Sequence, residues 1–293
     1  MANKKNKKTE ENPMKKRNLL KITLSVVLTL AMLCCASIST FAAEVDDGDV
    51  MTYGYNPNTS TNSSGARSII GDDERTIVNN TDDFPYSAIA YLSVTYSCGC
   101  GSEGTGFMVS ANCMLTAGHC IVCGDHEGTA SSITAWFGYK SSSDYLLKKT
   151  ATSNDSIIYH DPEYTGSEKN YDYGYVVFNT NVGNTTGWFG LASRNDSTLD
   201  GMGVTVAGYR YGTMYKGTGE ITSVANKRLK YDVDTEPGQS GSPVYIYGSE
   251  HGYQAVAIHT HGTNLLNWKN SGWRITSDFI NHLADLGYVT KAS

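Results

Sequence analysis

The chain has no internal repeat and no alternation of apolar strands with amphipathic helices, which excludes solenoids and doubly wound parallel sheets. Charge is sparse, at 18% of the 293 residues. With thirty glycines, twenty tyrosines and 40% hydrophobic residues, the chain has too much to bury to stay disordered. Positive charge is also scarce beyond the amino-terminal region: residues 68–293 carry 14 Lys and Arg against 23 Asp and Glu, a net of −9. That balance removes nucleic acid and anionic membranes from the partner classes. The length admits one large domain or two ordinary ones.

The amino end reads differently. Eight basic residues from Lys4 to Lys21 precede an apolar run from Ile22 to Ile38, and "STFAAE" follows with small residues at Thr40 and Ala42. This is the pattern of a secretory signal cut after Ala42, so residues 1–42 read as a signal peptide and the location as extracellular. The run is near the lower length limit of a spanning helix, but its interior Thr and Ser and its small-residue exit favour a signal, with no stable membrane association once it is removed. Residues 43–67 are acidic, then rich in Asn, Ser, Thr and Gly, with no hydrophobic period. They read as a pro-segment with no fold of its own. Arg67 stands before the more apolar "SIIG", so cleavage of Arg67–Ser68 would leave residues 68–293 as the working domain.

Short β-rich runs fill that domain, among them "SAIAYLSVTY", "GTGFMVS", "CMLTA", "SITAWFGY", "GVTVAGY", "SPVYIY" and "YQAVAIHT". Clusters of Gly, Asn, Asp and Ser separate them, which predicts an all-β sandwich or barrel. Only "SDFINHLADLGY" has helical spacing, with Phe279, Ile280, Leu283 and Leu286 on one face, Ser277 as cap and Gly287 as stop.

"DTEPGQSGSPVY" places Ser240 between glycines ahead of a strand. A tight turn alone would use such residues. A nucleophile whose neighbouring N–H groups must face a substrate oxygen would also need them. A serine hydroxyl requires a base, and the base requires an orienting group. Of seven histidines, His119 in "LTAGHC" stands at the mouth of an apolar strand, and Asp172 in "NYDYGYVVF" is flanked by tyrosines that can shield a carboxylate. The order His119, Asp172, Ser240 is that of chymotrypsin-type triads, and no G-x-S-x-G elbow is present.

"TAGHC", "NYDYG" and "GQSGSPV", with "SIIGDDERT" before them and "RITSDFI" after, resemble secreted bacterial glutamyl endopeptidases of the trypsin-like fold, over Ser68 to Gly287. The resemblance implies two six-stranded antiparallel β-barrels with a C-terminal helix and a triad in the cleft between the barrels. It implies an oxyanion hole from the N–H groups of Gly238 and Ser240, peptide or protein substrates, a monomer, and neither metal nor organic cofactor. Two features bear on specificity. Asp234 stands where trypsin-like enzymes that cut after Arg or Lys keep a pocket aspartate, whereas His259, Thr235 and the adjacent His261 match donors for a substrate carboxylate. The chemistry of His259 and Thr235 favours cleavage after Glu, less readily Asp; cleavage after Arg or Lys through Asp234 and a catalytically silent binding module are the alternatives. Glu236, in the same loop, would repel an acidic substrate.

Cys98, Cys100, Cys113, Cys120 and Cys123 follow the signal. In a secreted chain they favour disulfides with one thiol left over, and a zinc cluster is the competing reading of C-x-C and C-x-x-C. The resemblance implies a bridge from Cys120 to the position of Gly104. With a glycine there, Cys98 or Cys100 would have to replace the missing partner.

Overall fold

Turn residues cut the apolar runs into short strands, and the computed structural model describes residues 49–58, 75–126, 128–262 and 269–292. Ala42, Arg67 and Ser68 lie outside them. The first strands are β1 (Val50–Met51), β2 (Thr76–Ile77), β3 (Ile89–Tyr96), β4 (Gly101–Met108), β5 (Cys113–Thr116), β6 (Ala130–Phe137), β7 (Leu147–Thr152), β8 (Ile157–His160) and β9 (Gly174–Val177). The rest are β10 (Gly190–Ser193), β11 (Gly203–Arg210), β12 (Thr213–Ala225), β13 (Arg228–Tyr231), β14 (Pro243–Gly248), β15 (Gly252–His261) and β16 (Asn270–Arg274).

They form two sheets. One runs β7-β6-β3-β4-β5-β9-β8, antiparallel throughout. In the other, β14, β11, β12, β13, β16 and β15 close on themselves through the β15–β16 pairing, a six-stranded barrel. The all-β fold with a C-terminal helix holds, but the first half has seven strands and stays a curled, open half-barrel. The reason lies at its edges. Among the described residues β7 pairs only with β6 and β8 only with β9, and the Lys148 and Lys149 side chains of β7 reach the Trp136 ring and the Asn179 side chain.

Alternation explains the core. Along β3, Leu92, Val94 and Tyr96 are buried while Ser93 and Thr95 face water. One apolar cluster runs across both sheets, from Leu92, Phe107 and Leu115 to Tyr209, Tyr245 and Ile258. A second, with Val206, Ile221, Leu229, Tyr231 and Val244, belongs to the closed barrel. Each such side chain, fully buried, contributes about 2 kcal/mol before the entropy of ordering is set against it.

The C-terminal helix covers Ser277–Asp285, and its cap is Thr276 rather than Ser277: the Thr276 hydroxyl accepts from the Phe279 N–H at 3.3 Å. Leu286, expected on the buried face, is 46% exposed because it falls in the closing turn ahead of Gly287, whose φ of 75° ends the helix. Phe279 packs edge-on against Trp273, which lies 4.0 Å from the Tyr173 ring, and the indole N–H of Trp273 donates to the Asn170 carbonyl. The helix thereby braces the segment that carries Asp172.

Part of the expected pro-segment is ordered, not by a fold of its own but by pairing onto the rest of the chain. β1 pairs with β10, Thr52 bridges to Lys291, Tyr55 stacks on Trp188 at 4.4 Å, and Asp49 meets Arg194 at 2.7 Å. Two-residue edge pairing and a single aromatic stack leave no periodic trace in sequence.

Candidate active site

β5 stops at Thr116, and a 3₁₀ turn over Gly118–Cys120 swings His119 outward. The Asp172 side chain is fully buried opposite it. The His119 backbone N–H donates to Asp172 Oδ1 at 2.9 Å, and Nδ1 lies 2.9 Å from Oδ2 and 3.1 Å from Oδ1. Burial alone would raise the carboxyl, but the charge and hydrogen bonds of His119 outweigh it and hold Asp172 below the usual range. An ionised carboxylate only accepts, so Nδ1 carries the proton and Nε2 is left as the acceptor. Gly118 makes this approach possible: a Cβ there would lie 3.2 Å from Asp172 Oδ1 and 3.0 Å from the Tyr173 nitrogen.

Ser240 sits in the turn between β13 and β14. Gly238 and Gly241 adopt φ of 100° and 88°, a region closed to most side chains, and a Cβ at Gly241 would collide with the Thr105 carbonyl. The Gly241 N–H donates to the His259 carbonyl at 2.7 Å, and the His259 N–H donates to Ser242 at 2.8 Å. Across the seam, the Thr105 N–H donates to the Ser240 carbonyl at 2.8 Å, and Cys120 Sγ, next to His119, lies 3.7 Å from that oxygen. Among the described residues, no hydrogen bond engages the N–H of Gly238 or of Ser240.

Beside this turn, His259 is buried, and Tyr231 Oη lies 2.6 Å from its Nδ1. Burial pushes the phenol well above its ordinary range and the imidazole down to about 3, so both are neutral near pH 7. The phenol then donates to Nδ1, which leaves Nε2 of His259 as an N–H donor. The Thr235 hydroxyl is buried with no hydrogen-bond partner among the described residues. Glu236 is gripped by Arg75 at 2.7 Å and Arg210 at 2.6 Å, so its expected repulsion of acidic groups is countered by two cations. Asp234 is exposed.

Three comparisons bear on this geometry. The trypsin-like peptidase domain family matches residues 104–249. The chain is 34% identical over 237 residues to the glutamyl endopeptidase of Bacillus licheniformis, covering 75% of this chain and 69% of that protein. It is a trypsin-like serine endopeptidase of the glutamyl endopeptidase family. It is also 40% identical over 222 residues to a protein named extracellular metalloprotease of Bacillus subtilis, covering 74% of this chain and 68% of that one. The solved structure of a Glu endopeptidase superposes with a TM-score of 0.62 at 26% identity, over 75% of this chain and 99% of that chain.

Of the expected residues, His119 and Asp172 meet directly, Ser240 joins them through the bond from Thr105 to its carbonyl, and His261 is placed differently from expectation. His261 was expected as a further carboxylate donor, but its Nδ1 lies 3.6 Å from Asp172 Oδ2 and 2.9 Å from Thr260 Oγ1, with its ring 6.0 Å from that of His119. A register shift between His259 and His261 in the β15–β16 pairing breaks the alternation that would have aimed both histidines alike. Tyr231, which orients His259, escaped sequence reading because "KRLKYDV" is an ordinary strand. Cys120 also differs from expectation. A Cβ on Gly104 would lie 2.7 Å from its Sγ, so the bridge position is filled by the thiol itself, and burial pushes that thiol up to about 12. All five cysteines among the described residues are unbridged.

The two histidines of β15 carry a pH signature. Burial holds His259 at about 3 and His261 at about 4, against an ordinary value near 6.5. Between those limits the unfolded chain binds protons that the native state refuses, so stability falls as the pH drops from about 6.5 toward 3. Urea unfolding of the peptidase from pH 7 to 4 should show a loss approaching about 1.4 kcal/mol per pH unit for each histidine, and His259→Asn should flatten the curve; an unchanged slope in that variant would refute the buried neutral imidazole.

Proposed function

We propose that the peptidase cuts peptide bonds after Glu, less readily after Asp, through a triad of His119, Asp172 and Ser240. Ser240 attacks the scissile carbonyl, His119 Nε2 takes its proton and returns it to the leaving amine, and Asp172 holds the imidazole and stabilises the imidazolium. The fully buried Asp172 bonded to His119, with Nε2 left to accept, supports these roles. The unengaged N–H groups of Gly238 and Ser240 suit the developing oxyanion, and the loss of one such donor costs about 3 kcal/mol in the transition state. Ser240→Ala should abolish hydrolysis and covalent labelling by a fluorophosphonate while leaving the melting profile intact; labelling of that variant would move the nucleophile elsewhere.

The observation that carries the Glu preference is the pairing of an oriented neutral donor, His259 held by Tyr231, with the unpartnered Thr235 hydroxyl. Both can donate to a buried carboxylate and offer a guanidinium little. Arg75 and Arg210 around Glu236 add cationic character to the same loop, and the exposed Asp234 suits a pocket floor poorly. His261, 3.6 Å from Asp172 Oδ2 and bonded to Thr260 Oγ1, stands at the rim of this donor set. Removing a donor strands the substrate charge, so His259→Ala should lower kcat/KM on Glu peptides by roughly 10² and leave poor substrates little changed. Asp234→Ala should be near neutral. Digestion of a mixed peptide library read by mass spectrometry checks both, and cuts mainly after Lys and Arg would reverse the assignment.

The remaining parts of the proposal concern maturation: secretion by residues 1–42, a pro-segment over 43–67, cleavage of Arg67–Ser68, and an extracellular monomer acting on peptide or protein substrates. The residue before the nucleophile is Gln239, so no aspartate stands there to capture a new terminus, and the released amine acts elsewhere. N-terminal sequencing of active secreted protein should begin at Ser68; full activity with a start at Ala43 would overturn this reading.

A further inference from the structure

Away from the triad, four ligating side chains converge on one point. The β3–β4 hairpin carries Cys98 and Cys100 at its tip, and the loop after the His119 turn carries Cys123 and His126. The three sulfurs and one ring nitrogen all lie within 4.8 Å of one another. His126 Nδ1 is 3.2 Å from Cys100 Sγ and 3.9 Å from Cys123 Sγ. A tetrahedral zinc ion with Zn–S of about 2.3 Å and Zn–N of about 2.0 Å requires ligand-to-ligand separations near 3.6 Å. These spacings need only small side-chain shifts to reach that value.

The backbone is shaped for the cluster. Gly99, at φ of 87°, lets the hairpin turn so that both of its cysteines face the same loop, and the Gly99 N–H donates to the Tyr96 carbonyl. Gly128 lets the loop approach closely, since a Cβ there would crowd Cys98 Sγ at 3.1 Å. Hydrogen bonds from the Ser97 N–H to Thr129 and from the Cys123 N–H to Gly128 hold the two segments in register. A single disulfide would use two of the three sulfurs and leave the third, with the imidazole, unexplained.

We propose that Cys98, Cys100, Cys123 and His126 bind one structural Zn²⁺ ion. Each cysteine coordinates as thiolate, so loading releases up to three protons. Four protein ligands fill the tetrahedron and leave no position for water or substrate, so the ion takes no part in peptide hydrolysis. It joins the hairpin tip to the loop four residues beyond His119, and Tyr96, the β3 residue next to that tip, already touches the carbonyls of His119 and Cys120. The ion supplies the cross-link near His119 that the Gly104–Cys120 contact cannot form.

The test uses secreted, active protein purified without chelator. Elemental analysis should give about one zinc per chain, and all five cysteines should titrate once the protein is unfolded with chelator present. Protein without zinc that titrates only three thiols contains a disulfide, and the proposal fails. Stripped protein reloaded with Co²⁺ should show thiolate-to-cobalt charge transfer and tetrahedral d–d bands; their absence also overturns it. The exposed His126 permits a variant that folds, and His126→Asn should weaken zinc binding at least about a hundred-fold. Undiminished affinity in that variant would place the ion elsewhere. Chelation should lower the melting temperature while fluorophosphonate labelling below that temperature persists; immediate loss of labelling in folded protein would refute a purely structural ion.

Discussion

Thr105 is the joint on which the site depends. Its N–H donates to the Ser240 carbonyl, its hydroxyl accepts from the Tyr209 N–H at 2.9 Å and donates to the Gly238 carbonyl at 3.0 Å, and its carbonyl accepts from Thr116 at 2.7 Å. One fully buried residue of the first sheet thus satisfies backbone groups of the second half at Ser240, two residues before it and on β11. Buried polar groups left without partners cost about 1–3 kcal/mol each, so the two halves cannot slide without breaking several bonds together. Because Thr116 leads into the His119 turn, the same residue ties that turn to Ser240. The glycines at 238 and 241 follow from this closeness as much as from the oxyanion.

The electrostatics of the site are arranged by burial more than by net charge. An acidic chain does not attract acidic peptides over distance, so recognition has to come from groups at contact. His259, kept neutral by burial and oriented by Tyr231, is a donor that costs little to keep dehydrated, unlike a buried lysine or arginine. Glu236, in the loop before Ser240, is countered by Arg75 from the amino-terminal side and Arg210 from β11. Asp172 needs support because it is buried and charged. His119 and His261 face it, and Trp273 with the C-terminal helix closes the segment behind it.

Around His119 the chain replaces one cross-link by several weaker ones. The Cys120 thiol occupies the space of the absent partner at Gly104, Tyr96 reaches the carbonyls of His119 and Cys120, and the cysteine and histidine cluster gathers at the hairpin tip next to Tyr96. A base that must hold its geometry within a few tenths of an ångström benefits from such redundancy.

The fold class was legible in the sequence, and so were the residues proposed for catalysis, because both rest on local signals. Alternating apolar runs between Gly and Asn clusters marked strands, and "LTAGHC", "NYDYG" and "GQSGSP" marked the reactive groups by their turns. What depends on which strands become neighbours was not legible. Closure of the second barrel but not the first follows from the pairing of β15 with β16, and the bulge between His259 and His261 sends one histidine toward Asp172. The order in residues 49–58 and the grip of two arginines on Glu236 join residues far apart in sequence. The cysteines show the division most plainly. Their number and spacing admitted disulfides or zinc alike, and only the meeting of a hairpin tip with a separate loop placed three sulfurs and an imidazole together, because sequence records which ligands exist while long-range packing decides their distances.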